Sequence, residues 1–230
     1  MQKISNFIFN HSPKKIAMFF ILGPLFLSLI YLLITILFRT ISGVDSENEI
    51  FAHISLNTLY LLFGVIVFFW LFWLKSTVYT VNKVQLGLPR KWFNIAFSFL
   101  WVYIFFNIAA EIIQKVVDNG NLTDEYMFLI YSSRELISFG GILIAYPIVC
   151  HYAARATMAK RNSKPATLIN AIPFSLLLIF GTVLGIPFMH PYFSDKVSSK
   201  KEVIIIYVIG FSLFFLMLVI GFIAAITGMV

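Results

Sequence analysis

Three ionisable residues, Glu111, Arg134 and Glu135, stand inside or at the edge of long apolar runs. A charge at the centre of a bilayer costs about 2.5–3.5 kcal/mol on insertion scales, so such residues normally serve ion paths, proton relays or counter-ion pairs. Two roles fit this trio. At the membrane boundary, Glu111 and Arg134 form an interfacial ion pair that pins a helical hairpin. Shifted inward, Arg134 and Glu135 line a polar cavity that binds an anion or relays protons. Depth decides between the two. The run from Tyr126 to Met158 would be about 50 Å long as a helix, against a hydrocarbon core of about 30 Å. Its most apolar window, Leu136 to Ala154, leaves Arg134 and Glu135 at the boundary, and Glu111 approaches the same level from the preceding span.

Other chemistry is thinly represented. None of His11, His53, His151 and His190 has a histidine four residues on, and there is no HExxH. Zinc takes three or four ligands, which here would mean joining His53 and His190 to the acidic first loop. Asp118 to Glu125 has a calcium-loop look, but its glycine stands third where an EF-hand needs it sixth. Neither GxSxG nor GxxxxGK[ST] occurs. The one cysteine, Cys150, excludes a disulfide framework and a cysteine-rich metal site. No catalytic residue, metal or cofactor is expected.

The elements that must position these residues follow from composition. Of 230 residues, 60% are hydrophobic and 12% charged, half the roughly 25% that a soluble domain carries. A mean hydropathy of +0.92 also excludes a disordered chain. Six apolar runs reach or approach the roughly 20 residues that cross a bilayer: residues 16–38, 54–74, 92–113, 136–154, 168–189 and 203–227. The first is too long for a signal-peptide core and no small-residue cleavage site follows it, so it reads as retained. The expected fold is an all-α polytopic bundle of about six transmembrane helices, a single integral membrane domain over residues 1–230.

Lys and Arg in short loops set orientation. The N-terminal stretch (Lys3, Lys14, Lys15), the second loop (Lys75, Lys83, Arg90, Lys91) and the fourth (Arg155, Lys160, Arg161, Lys164) are basic. The first and third loops hold only Arg39 and Lys115. Strict alternation puts both termini in the cytoplasm, His11 and His151 inside, and His53 and His190 outside. Lys196, Lys200 and Lys201 in the fifth loop run against it. The basic face accounts for the net charge of +7 and attracts anionic lipid by about 1 kcal/mol per residue. No loop is long enough to build a nucleic-acid surface.

Gly181 and Gly185 form a small-xxx-small pair for helix packing. Pro147, Pro173 and Pro187 predict helix kinks, as does Gly140-Gly141. Asn57, Asn94, Asn107 and Asn170 read as packing residues whose interhelical bonds average about 0.6 kcal/mol. Ile4, Phe7 and Ile8 predict a short amphipathic turn in the interface.

Two stretches carry a resemblance. The first is Phe68-Phe69-Trp70-Leu71-Phe72-Trp73-Leu74-Lys75-Ser76, with Val81-Asn82-Lys83 and Pro89. The second is Tyr152-Ala153-Ala154-Arg155-Ala156 with Ala159-Lys160, then Leu184-Gly185-Ile186-Pro187 and His190-Pro191. Together they resemble uncharacterised multi-pass inner-membrane proteins of Bacteroidetes-type bacteria. The resemblance implies a bacterial cytoplasmic membrane and a helical fold, and implies no activity. The expected role is accessory, protective or assembly-related, exerted through contact with lipid, a membrane protein or a second copy. Its rivals are a small transporter or channel around Arg134, Glu135 and Glu111, which requires a polar cavity at mid-depth, and a membrane enzyme, which requires converging ionisable groups.

Overall fold

The computed structural model describes residues 2–42, 49–117, 124–196 and 198–226, and all regular structure among them is helical. The α-helices are α1 (Gln2–Phe9), α2 (Pro13–Ala17), α3 (Gly23–Ser42), α4 (Glu49–Thr80), α5 (Lys83–Leu86), α6 (Arg90–Val117), α7 (Asp124–Phe139), α8 (Tyr146–Asn162), α9 (Leu168–Gly181), α10 (Ile186–Met189) and α11 (Lys200–Ile226). Six stretches are long and apolar enough to cross a membrane: Pro13–Ile34, Phe63–Thr80, Arg90–Ile113, Phe128–Asn162, Leu168–Tyr192 and Lys200–Ala224. The helical multi-pass class is therefore as expected.

Individual boundaries move. The second run, expected at 54–74, continues as helix through Lys75 to Thr80, and the fourth extends well past 136–154 on both sides. Backbone hydrogen bonding carries a helix into the polar interface after its apolar side chains end.

Two of the long helices contain π-helical turns, Met18–Leu22 and Gly140–Ala145, and each is followed within two residues by a proline, Pro24 and Pro147. A proline lacks the N–H and its ring crowds the carbonyl four residues back. Those positions, Phe20 and Leu143, fall inside the π turns, whose wider winding absorbs the crowding. Pro187 sits at the start of α10, and Pro173 lies inside α9.

The chain gathers into two compact units, Met1–Ser76 with Thr182–Val230, and Thr77–Gly181. In the first, α2 and the π turn after it run parallel to α11, with Ala17, Ile21, Val203 and Ile206 forming the buried seam. The Lys14 ammonium pairs with Glu202 at 3.1 Å, and Lys14 N–H donates to Ser198 Oγ. Residues 182–192 pack along the same helix in the opposite sense: Thr182–Gly185 lies against Met18–Leu22, and Ile186–Met189 against Pro13–Ala17. Lys14 and Glu202 thus share one end of the unit. Strict alternation of six crossings would part them, so these contacts do not fit it.

In the second unit α6 runs antiparallel to the α7–α8 path, and α8 pairs antiparallel with α9. Gly141 makes the first pairing possible, since a Cβ there would stand 2.5 Å from the Tyr103 ring. The expected stripe of Gly181 and Gly185 does not form. Thr182, between them, adopts a left-handed conformation with φ 45° that ends α9, so the two glycines share no helix face.

Candidate functional site

The α6–α7 hairpin positions the charged trio in the second unit. Arg134 Nε donates to Asn107 Oδ1 at 2.9 Å, and Asn107 Nδ2 donates to the Tyr103 carbonyl at 2.9 Å. The carbonyl one turn back thereby orients the amide so that its oxygen meets the guanidinium. Arg134 is half-buried, while Glu111 and Glu135 are exposed. The hairpin predicted to set Glu111 against Arg134 does form, but Asn107, one turn earlier on α6, meets the arginine. Asn107, expected as a packing residue, packs against a charged partner.

The most buried cation of this unit is one that sequence reading counted only as a topogenic charge. Arg155, 4% exposed, donates through Nε to the Leu86 carbonyl at 2.7 Å and through Nη2 to the Ala166 carbonyl. Those carbonyls belong to the last residue of α5 and to the α8–α9 connection, which are also tied by Ala166 N–H to Gln85 O at 2.9 Å. Tyr152, one turn earlier on α8, donates to Pro89 O at 2.7 Å. Arg90 donates to the Val78 and Val81 carbonyls. Gly87 completes the clamp: it holds φ 69°, and a Cβ there would fall on the Arg155 guanidinium. Five N–H donors in a rigid planar fork let one arginine bridge two loops. Both arginines bond backbone carbonyls, Arg90 through Nη2 alone.

His151 Nδ1 lies 2.9 Å from Ser175 Oγ. The serine hydroxyl also lies 2.8 Å from the Ala171 carbonyl, within its own helix. The contact with His151 links α8 to α9.

In the first unit a second polar clamp closes around His190, which is fully buried. The Trp73 indole N–H can only donate, so His190 Nδ1 accepts it, at 3.2 Å. The proton then sits on Nε2 and is donated to the His11 carbonyl at 2.8 Å, which also accepts from Ser194 Oγ at 2.9 Å. Phe193 stacks on Phe9 of α1 with centroids 5.3 Å apart. His11 and His190, expected on opposite faces, are in contact. Nothing in a linear reading links Trp73 to a histidine so far along the chain.

The first unit also holds an open cavity of about 660 Å³, within the range of roughly 300–1,000 Å³ for small-molecule sites. Its wall includes Phe20, Leu25, Ile66, Val67, Phe211 and Phe214, with Thr182–Leu184 at one side. The Tyr207 hydroxyl on its rim donates to the Leu184 carbonyl. A smaller cavity of about 160 Å³ shares Phe20 and is bounded by α1 residues Phe7 and Ile8 with His11, Lys15 and Trp73.

Among the described residues, no three His, Cys, Asp or Glu side chains converge to hold a metal ion. Both ring nitrogens of His190 are engaged, and the His53 side chain lies outside the described residues. In comparisons with protein-family models, curated proteins and solved structures, the chain matches none.

Proposed function

We propose that this membrane protein is an accessory component that acts through contact, holding a lipid acyl chain in the first unit's cavity, rather than a solute carrier or an enzyme. One observation carries the reading: the cavity is walled almost wholly by hydrocarbon, and the Tyr207 hydroxyl on its rim is turned to the Leu184 carbonyl. A carrier for charged or polar solutes needs polar groups at depth. The buried Arg155 and the half-buried Arg90 and Arg134 are engaged elsewhere, the first two with backbone and the third with Asn107. Lys15 on the neighbouring cavity suits the headgroup of an anionic lipid. A bacterial cytoplasmic membrane is the proposed location, supported by the family resemblance and the basic loops. Assembly with a partner membrane protein or a second copy belongs to the same reading.

The test uses the full chain in vesicles containing a phospholipid with a photoactivatable acyl chain. Adducts concentrating on the cavity wall, and falling when Val67→Trp fills it, are the expected result. Adducts spread evenly over lipid-facing residues, or flux of a charged solute dependent on the protein, would refute the reading.

A further inference from the structure

We infer that His11 and Lys15 form an anion subsite on the wall of the first unit's smaller cavity, and that the ligand it selects is a phospholipid with a net negative headgroup. The inference rests on the acyl-chain reading above and adds the headgroup to it. Hydrogen-bonding capacity is the starting point. His11 Nδ1 lies 2.7 Å from the Phe7 carbonyl. A carbonyl only accepts, so Nδ1 carries a proton and donates it. The main-chain carbonyl of His11 is held by His190 Nε2 and Ser194 Oγ, and its ring meets Phe7 edge-on with centroids 5.0 Å apart. The residue is fixed at backbone and ring, while Nε2 has no bond among the described residues. In the imidazolium form Nε2 is a charged donor, suited to a phosphate oxygen.

Lys15 is equally uncommitted. Glu202 is taken by the neighbouring Lys14, which it pairs with at 3.1 Å. The same carboxylate closes a capping box at the start of α11: Ser199 N–H donates to Oε2 and Glu202 N–H donates to Ser199 Oγ, each at 3.2 Å. Among the described residues no carboxylate meets Lys15, which is exposed. Of two adjacent lysines, one ties helices together and the other keeps its ammonium for a ligand.

Both available groups stand beside hydrocarbon. His11 and Lys15 line the cavity together with Ile8, Ile16, Phe19 and Trp73. A bare inorganic anion would leave those apolar faces uncovered, so the ligand joins its charge to an acyl chain. Two helices set the path of that chain. On the first crossing Lys15 and Phe19 border the smaller cavity, Phe20 borders both, and Leu25 borders the larger. On α4, Trp73 and Phe69 border the smaller cavity, and Ile66 and Phe63 the larger. Lys15 stands near the start of the run Pro13–Ile34, and Leu25 is about 15 Å further along the helix. That is half of a hydrocarbon core of about 30 Å, the depth of one leaflet. A lipid with its phosphate at Lys15 therefore keeps its ordinary register while its chain fills the larger cavity. The exposure of Lys15 leaves room for a glycerol headgroup, which favours a phospholipid over a free fatty acid.

The experiment places the full chain in vesicles with a trace of one photoactivatable-acyl probe: phosphatidylglycerol, phosphatidylcholine or the free fatty acid. Adducts on the cavity wall are counted relative to those on the lipid-facing side of α11. Phosphatidylglycerol should label the wall in clear preference to the other two. Lys15→Gln and His11→Gln should each lower its preference over phosphatidylcholine about fivefold, the value of one charge near the surface. Lys15→Arg should keep the preference, and so should Lys200→Gln, which removes an exposed lysine that does not line the cavity. The comparison of probes on the parent chain stands even if a variant fails to fold. Equal wall labelling by phosphatidylglycerol and phosphatidylcholine, still lost in Val67→Trp, would overturn the anion subsite and leave the acyl-chain reading intact. No enrichment on the wall with any probe would remove both. Stronger labelling by the fatty acid would overturn the phospholipid assignment, and an equal fall in Lys200→Gln and Lys15→Gln would reduce the preference to general surface charge.

Discussion

Replacing Arg155 with alanine removes two charge-assisted hydrogen bonds, to Leu86 O and Ala166 O. Bonds of this kind contribute about 1.5–3 kcal/mol each. The two carbonyls lie near the polar end of α8, where water can replace part of the loss, so the expected cost is about 3 kcal/mol, the low end for two bonds. For a chain of this size each kcal/mol lowers Tm by about 2–4 °C, which gives a drop of about 6–12 °C. The protein carries its own reporter, because Cys150 is its one cysteine and is buried one turn from the clamp. A thiol-reactive dye that fluoresces on reaction therefore follows unfolding in detergent without any added label. Arg155→Lys should fall between the two, since a single ammonium lacks the fork that spans both loops. If Arg155→Ala melts within about 2 °C of the parent, a shift worth less than one such bond, the clamp does not hold these connections together and the account of the second unit fails.

Four further outcomes are expected. His190→Leu should strand the Trp73 indole and the His11 carbonyl, and limited proteolysis should then cut within the first dozen residues sooner than in the parent. Gly141→Val should abolish folded, monodisperse protein in size exclusion, because its side chain meets the Tyr103 ring, whereas Gly64→Ala, with nothing within 4 Å, should leave the elution profile unchanged. A double-mutant cycle on Asn107→Leu and Arg134→Leu, read by thiol-dye melting, should return a coupling of about 0.6 kcal/mol, and several kcal/mol would mean a deeper, drier site than the half-buried one seen here. Tyr152→Phe should lose about 1 kcal/mol in the same assay through its bond to Pro89 O.

The helical class was legible because lipid imposes a length and a composition on anything that crosses it. What stayed hidden has a physical cause in each case. Hydropathy measures solvent, not winding: the chain is apolar on both sides of Thr182, so 168–192 scores as one run although α9 ends at Gly181. Arg155 looks in sequence like any basic loop residue, since its acceptors are main-chain carbonyls, which every residue possesses. Glu111 and Arg134 were correctly brought to one hairpin, but hairpin register was beyond composition, and one turn separates the expected acid from the amide that is present. Gly181 and Gly185 have the right spacing for a packing stripe, and spacing alone assumes an unbroken helix.

The π turns have a consequence for the phase of the helices they interrupt. Each residue of an α-helix advances the winding by about 100°, and a π turn lodges one residue more than the regular cycle. Deleting a single residue from Gly140–Ala145 would keep the α7–α8 path continuous and apolar, with its composition almost unaltered. Everything downstream would keep its facing, because the segment would close to regular winding around one residue fewer, whereas the same deletion from a regular turn of α8 ahead of Tyr152 would swing Tyr152 and Arg155 about 100° away from the carbonyls they hold. In this chain the π turn lodges an extra residue between the part of the helix that answers α6 and the part that gathers the loops, without turning one against the other.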